Sequence, residues 1–241
     1  MKLIADLHTH TYMSGHAYAS AEEMARAAAQ RGLKAIAITD HGPAMVGGPQ
    51  PIYFYCLKYQ ARILAGIPVF RGMEANILSD DGKLDSNENM VRNLDFVMAG
   101  IHPNVTDTSA LTDYTQGIVS AMEVPYIKII CHPDQGRLPL DVDAVVQAAH
   151  RTGKILEVNN HSLDDDFPGD ALGSYKHMLT LCRQLDVPVV VNTDAHSQDY
   201  VGVWNNALPI LEEINFPEEL VVNASWENLE KYLGIKSPES I

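Results

Sequence analysis

Basic residues are scarce in this chain. Its 17 Lys and Arg stand against 31 Asp and Glu, for a formal charge of -14. A broad nucleic-acid surface needs the opposite balance, because phosphate backbones demand Lys and Arg, so no extended nucleic acid is expected as a partner. Long apolar runs are also missing. Although 46% of the 241 residues are hydrophobic, enough for a sizeable core, no stretch is long enough to span a bilayer. Asp6 comes too early for a secretory leader. A soluble, cytoplasmic protein with no membrane contact is expected. Cys56, Cys131 and Cys182 are odd in number and far apart. They support neither a disulfide framework nor a CxxC zinc site, and all three read as buried thiols. No Walker loop, GxGxxG or GxSxG pattern occurs, which leaves nucleotide-driven transfer and serine hydrolysis without support. Gly/Pro/Ser-rich linkers, low-complexity tracts and fixed-period repeats are absent too, so one domain over residues 1–241 is expected.

What is present is an alternation. Strands are expected over Lys2–Ala5 (running on toward His10), Lys34–His41, Ile67–Ala75, Leu94–His102, Tyr126–His132, Lys154–Asn159 and Val187–Asp194. Between and after them lie helix-forming stretches: Ala21–Arg31, Tyr53–Ala65, Thr112–Met122, Val142–Thr152, Ser174–Leu185, Leu208–Ile214 and Trp226–Leu233. Ser20 is a plausible N-cap for the first of these, and Gly32 ends it. Residues 79–92 are polar and read as a loop with a short excursion. Strands alternating with helices imply a parallel sheet. His8, His10, Asp40, His41, Glu74, His102, His132, Asn159–His161, Asp194 and His196 all fall at the C-terminal ends of these strands. In an open sheet those ends lie along a line. In a closed barrel they converge on one mouth, where active sites sit. A barrel of seven units explains the distribution best.

The stretch Asp6-Leu7-His8-Thr9-His10 anchors the chemistry. Alternate residues of a strand share a face, so Asp6, His8 and His10 point the same way if the strand persists. Two imidazoles backed by a carboxylate suit a metal ion, although His-x-His alone is a weak signal. The other strand ends strengthen it. Asp6-x-His8-x-His10, His16, Thr39-Asp40-His41, Gly72-x-Glu74, Gly100-x-His102, His132-Pro133 and Asp194-x-His196 closely resemble the polymerase and histidinol phosphatase (PHP) family. Within it they resemble the stand-alone probable phosphatases of the YcdX type.

The resemblance implies an α/β fold, a distorted (β/α)7 TIM-like barrel, with a trinuclear metal centre. One ion would take His8, His10, Glu74 and Asp194. A second would take Glu74, His102 and His132, and a third His16, His41 and His196. Glu74, Asp194 and His196 would be the catalytic members. Asp6 and Asp40 would sit behind the ligands, accepting from imidazole N–H groups. Imidazole and carboxylate donors suit zinc, manganese or iron, with zinc expected. The implied activity is a phosphatase that attacks a small phosphorylated metabolite with a metal-activated water. Arg137 is a candidate phosphate contact. The alternatives are amidohydrolase-like C–N hydrolysis, or a metal-binding accessory module. His150 and His177 read as surface or packing residues and the run Asp164–Asp166 as a solvated loop, while His161 stays open between a substrate contact and a loop residue.

Overall fold

The computed structural model describes residues 1–133, 138–164 and 169–238. Arg137, Asp165 and Asp166 lie outside them. The strands are β1 (Ala5–Asp6), β2 (Ala35–Ile38), β3 (Ile63–Leu64), β4 (Ile67–Arg71), β5 (Glu74–Asn76), β6 (Val97–Gly100), β7 (Ile127–Ile130), β8 (Ile155–Asn159) and β9 (Val189–Asn192). They pair in two runs, β1-β2-β4-β3 and β5-β6-β7-β8-β9. Every pairing is parallel except the β3–β4 hairpin.

Two seams join the runs into a barrel. At the first, β4 passes through Gly72 and Met73 into β5. Gly72 N donates to Ile38 O at 2.8 Å, and His41 bridges Glu74 in parallel. Gly72 is required there, because a Cβ would lie 2.5 Å from Thr39 Cγ2. At the second seam β9 meets β1 mostly through side chains. Buried Asn223 donates to Ala5 O and Val191 O, Leu7 N donates to Asn192 Oδ1, and Thr9 bridges Ala195. Each of these pairs backbone groups that would otherwise be buried and bare. The staves are therefore β1, β2, β4–β5, β6, β7, β8 and β9, which is the expected (β/α)7 barrel.

The helices are α1 (Ala21–Gln30), α2 (Pro51–Cys56), α3 (Glu88–Val91), α4 (Tyr114–Ala121), α5 (Val142–Thr152), α6 (Ala171–Gln184), α7 (Ala207–Glu213) and α8 (Trp226–Leu233). Capping fixes several ends. Ser20 and Glu23 form a reciprocal capping box at α1, and Asp141 caps α5, which closes on Gly153 at φ 67°. The expected helix over Tyr53–Ala65 is shorter. α2 ends at Cys56, one 3-10 turn follows, and Ile63–Leu64 turns back as β3. Cys56 is exposed, contrary to the reading of all three cysteines as buried; Cys131 and Cys182 are buried. Among the described residues no helix is long and apolar enough to cross a membrane.

Candidate metal centre

The C-terminal strand ends do converge. Glu74, at the start of β5, is fully buried. Its Oε1 lies 2.8 Å from His132 Nε2, 3.0 Å from His102 Nε2 and 3.3 Å from His8 Nε2. Its Oε2 lies 2.7 Å from His41 Nδ1 and 3.4 Å from His10 Nε2. Asp194 Oδ1 is 3.0 Å from His10 Nε2 and 3.4 Å from His8 Nε2. Among the described residues three groups of donor atoms result: His8, His10 and Asp194; Glu74, His102, Cys131 and His132; and His10, His41 and His196. His16 stands exposed at the rim, its ring 4.8 Å from that of His196 and 5.0 Å from that of His41. Its loop is set by Gly15, whose φ of 84° and contact with Gly47 exclude a side chain.

The second nitrogen of most of these rings is tied outward. His8 Nδ1–H donates to Glu157 Oε1 at 2.8 Å, and His102 Nδ1–H donates to Asn76 Oδ1 at 2.7 Å. His10 Nδ1–H donates to Ser14 Oγ at 3.0 Å, and His196 Nδ1–H to the Asp194 carbonyl at 2.8 Å. Such bonds fix the tautomer and leave Nε2 as a lone pair facing inward. Those inward nitrogens crowd together. His8 Nε2 and His10 Nε2 are 3.0 Å apart, and His102 Nε2 and His132 Nε2 are 3.1 Å apart. Among the described residues the buried atoms His41 Nδ1, Glu74 Oε2 and Asp194 Oδ1 lie close to other donors and acceptors, yet none of these contacts has hydrogen-bond geometry. Converging lone pairs and orphaned buried acceptors are what a divalent cation satisfies, so the donor set fits metal ions.

The electrostatics agree. Burial opposes a charge on His8, yet Glu157, Asp194 and Glu74 pull its pKa well above the usual value, so without an ion its Nε2 holds a proton that a bound cation would replace. Burial alone would raise Glu74, but His41, His102 and His8 hold it well below the usual carboxylate range. Burial pushes His41 down to about 4, so it presents a neutral ring at neutral pH. The site draws in positive charge around its carboxylates.

Asp6 and Asp40 both lie beside the centre, but neither accepts from an imidazole as expected. Asp6 accepts from Thr193 Oγ1 at 2.6 Å and Gly202 N at 2.9 Å. The β1 ladder ends at Asp6, so the strand alternation that put Asp6 with His8 and His10 is not sustained. Asp40 accepts from Ser14 Oγ at 2.7 Å, from Thr11 and from Tyr53 OH at 2.6 Å. It therefore orients His10 through Ser14. Sequence reasoning missed the carboxylate that does hold these histidines. Glu157, fully buried in β8, accepts from His8 with Oε1 and from the His132 backbone N at 2.8 Å with Oε2. An acid inside an apolar strand, Ile155-Leu156-Glu157-Val158, was the available signal. Asn76 was also missed; Asp85 holds it through its backbone N at 2.8 Å.

His161 lines the mouth and pairs with Asp164 at 2.9 Å. His177 pairs with Asp143 on the surface, and His150 is exposed, as expected. Two cavities open over the centre. One, about 300 Å³, is walled by His16, His41, His102, His132, Asp194 and His196. The other, about 690 Å³, adjoins it past His161 and is lined by Asn160, Asp164, Tyr200, Asn205 and Asn206.

Residues 6–164 match the PHP domain family. A probable phosphatase of Acetivibrio thermocellus is 38% identical over 236 residues, covering 98% of this chain and 97% of its own. A probable phosphatase of Caldanaerobacter subterraneus subsp. tengcongensis is 38% identical over 240 residues, covering 98% of this chain and 93% of its own. The fold is also similar to the crystal structure of a histidinol phosphate phosphatase from Lactococcus lactis, complexed with zinc, L-histidinol and phosphate. That similarity has a TM-score of 0.62 at 15% identity and covers 88% of this chain and 94% of that one. The barrel, the donor set at its mouth and these relatives together place the chain in the PHP domain family.

Proposed function

We propose that this PHP-family phosphatase hydrolyses phosphate monoesters of a small metabolite at a centre of three divalent ions. The observation that carries the reading is the set of buried atoms crowded together without hydrogen-bond geometry, His41 Nδ1, Glu74 Oε2 and Asp194 Oδ1, amid imidazole nitrogens turned inward. His8, His10, Glu74 and Asp194 would hold one ion, Glu74, His102 and His132 a second, and His16, His41 and His196 a third. Bound ions supply Lewis-acid charge stabilisation and lower the pKa of water.

The chain's own residues do the rest. Glu157, Asn76 and Ser14 fix ring orientations, so the donors need no rearrangement when the substrate arrives. Asp194 and His196 both face the cavity, with side chains 12% and 26% exposed, and would meet the ester. The adjoining cavity, with the amides of Asn160, Asn205 and Asn206, suits the polar organic part of a metabolite. That the relatives are probable phosphatases, and that the structural neighbour holds zinc, phosphate and an amino alcohol, supports the same reading. The test is a panel of phosphate monoesters assayed with the stripped protein reloaded with zinc, manganese or iron. Metal-dependent phosphate release is expected, and hydrolysis of cyclic amides with no release from any ester would overturn the proposal.

A further inference from the structure

We propose that Cys131 binds the second ion as a thiolate, beside Glu74, His102 and His132. The proposal rests on the metal-centre reading above and adds a soft donor to it. Cys131 and His132 are neighbours in sequence, and in a regular strand they would face opposite sides. Here β7 ends at Ile130 and His132 adopts a left-handed φ of 32°. Both side chains therefore reach the same atom. Cys131 Sγ lies 3.1 Å and His132 Nε2 2.8 Å from Glu74 Oε1.

The neighbouring strand makes room for the sulfur. Gly100 ends β6, and a Cβ there would lie 2.6 Å from Cys131 Sγ and 2.7 Å from His132 Cε1. One donor atom from each of Glu74, His102, Cys131 and His132 lies within 4.8 Å of the others. Zinc–nitrogen and zinc–sulfur bonds of about 2.0–2.3 Å imply tetrahedral edges of roughly 3.3–3.8 Å; Glu74 Oε1 stands 2.8–3.1 Å from the other three donors, so these contacts would open by a few tenths of an ångström or more around an ion. Glu74 Oε1 is the shared centre of the quartet: fully buried, it takes His102 Nε2 at 3.0 Å, His132 Nε2 at 2.8 Å and Cys131 Sγ at 3.1 Å at once, the crowding of donor atoms that a cation relieves.

In the ion-free chain the thiol donates its proton to Glu74 Oε1. Ion binding sends that proton to solvent and leaves the sulfur lone pair on the ion. The consequence is selectivity. A thiolate favours zinc, cobalt or ferrous iron over manganese and magnesium, which an imidazole and carboxylate set alone accommodates.

Cobalt(II) titration of chelator-stripped protein tests this, in a Cys56→Ser background that removes the exposed thiol. The expected result is a thiolate-to-cobalt charge-transfer band in the near ultraviolet, beside the visible bands of nitrogen- and oxygen-bound cobalt. Cys131→Ser and Cys131→Ala should lose the first band and keep the second. If those variants do not fold, the Cys56→Ser spectrum decides alone. Cobalt bound at more than one per chain with no charge-transfer band would overturn the role of Cys131 and leave the metal centre standing. A folded protein that binds no cobalt would overturn both.

Discussion

Glu74 is the residue on which the centre depends, because its two oxygens face different donor groups. Oε1 looks toward His102 and His132, and Oε2 toward His41 and His10. Glu74→Gln keeps the shape and removes the charge and one strong acceptor. It should lose two metals and nearly all phosphatase activity, as elemental analysis and phosphate release would show. Full load and full rate would reduce Glu74 to a core acid. Glu157 acts one step further out, accepting from His8, His132, Asn159 and Asn192. In Glu157→Gln an amide NH2 must face some of those donors. Metal affinity should fall by about 10–100-fold, read by competition with a chelating dye, while an unchanged affinity would leave Glu157 only a core role. His16 is the opposite case, since it is exposed and carried by a loop. His16→Ala should stay folded, lose one ion and drop kcat on the order of a hundredfold or more. The third donor set is less isolated from carboxylates than its neutral ligands suggest, because Glu74 Oε2 is 2.7 Å from His41 Nδ1. Unchanged metal content and kcat in His16→Ala would remove this residue from the site.

Among the elements, the strand ends decide where donors stand, and small residues let them approach. Gly100→Ala inserts a methyl against Cys131 and His132. A loss of about 1–3 kcal/mol is expected from overpacking, together with loss of the ion proposed at Glu74, His102 and His132. Urea unfolding and metal analysis of one preparation check both, and a fully loaded variant of normal stability would contradict the packing. This level was legible in part. The seven staves followed from apolar runs, and α5 and α8 fall on the expected residues because caps and periodicity agree there. β3 was hidden, since Ile63–Leu64 takes its structure from pairing with β4 rather than from its own sequence. The histidines that converge at the mouth were legible because they recur at strand ends. Their supports were not. Glu157, Asn76 and Ser14 gain their meaning from residues 149, 26 and 4 positions away, and single polar residues carry no spacing rule. Asp6 and Asp40 were placed beside the centre, but their partners depend on loops whose course the sequence does not dictate.

At the scale of the molecule, closure of the barrel brings distant strand ends to one point. Asn223 stitches β9 to β1 across 218 residues of chain, and the β2–β5 seam carries Glu74 itself. Three divalent ions would set six positive charges against Glu74, Asp194 and Glu157. The mouth of an acidic chain, with a formal charge of -14, would then stay electropositive and favour a phosphate dianion. The most direct test is a zinc titration of chelator-stripped protein, counting bound ions and released phosphate on the same samples. Phosphate release should be absent from the stripped protein, begin only above one ion per chain and saturate near three. Saturation of binding at or below one ion in a folded preparation, or release that survives stripping, would contradict the account.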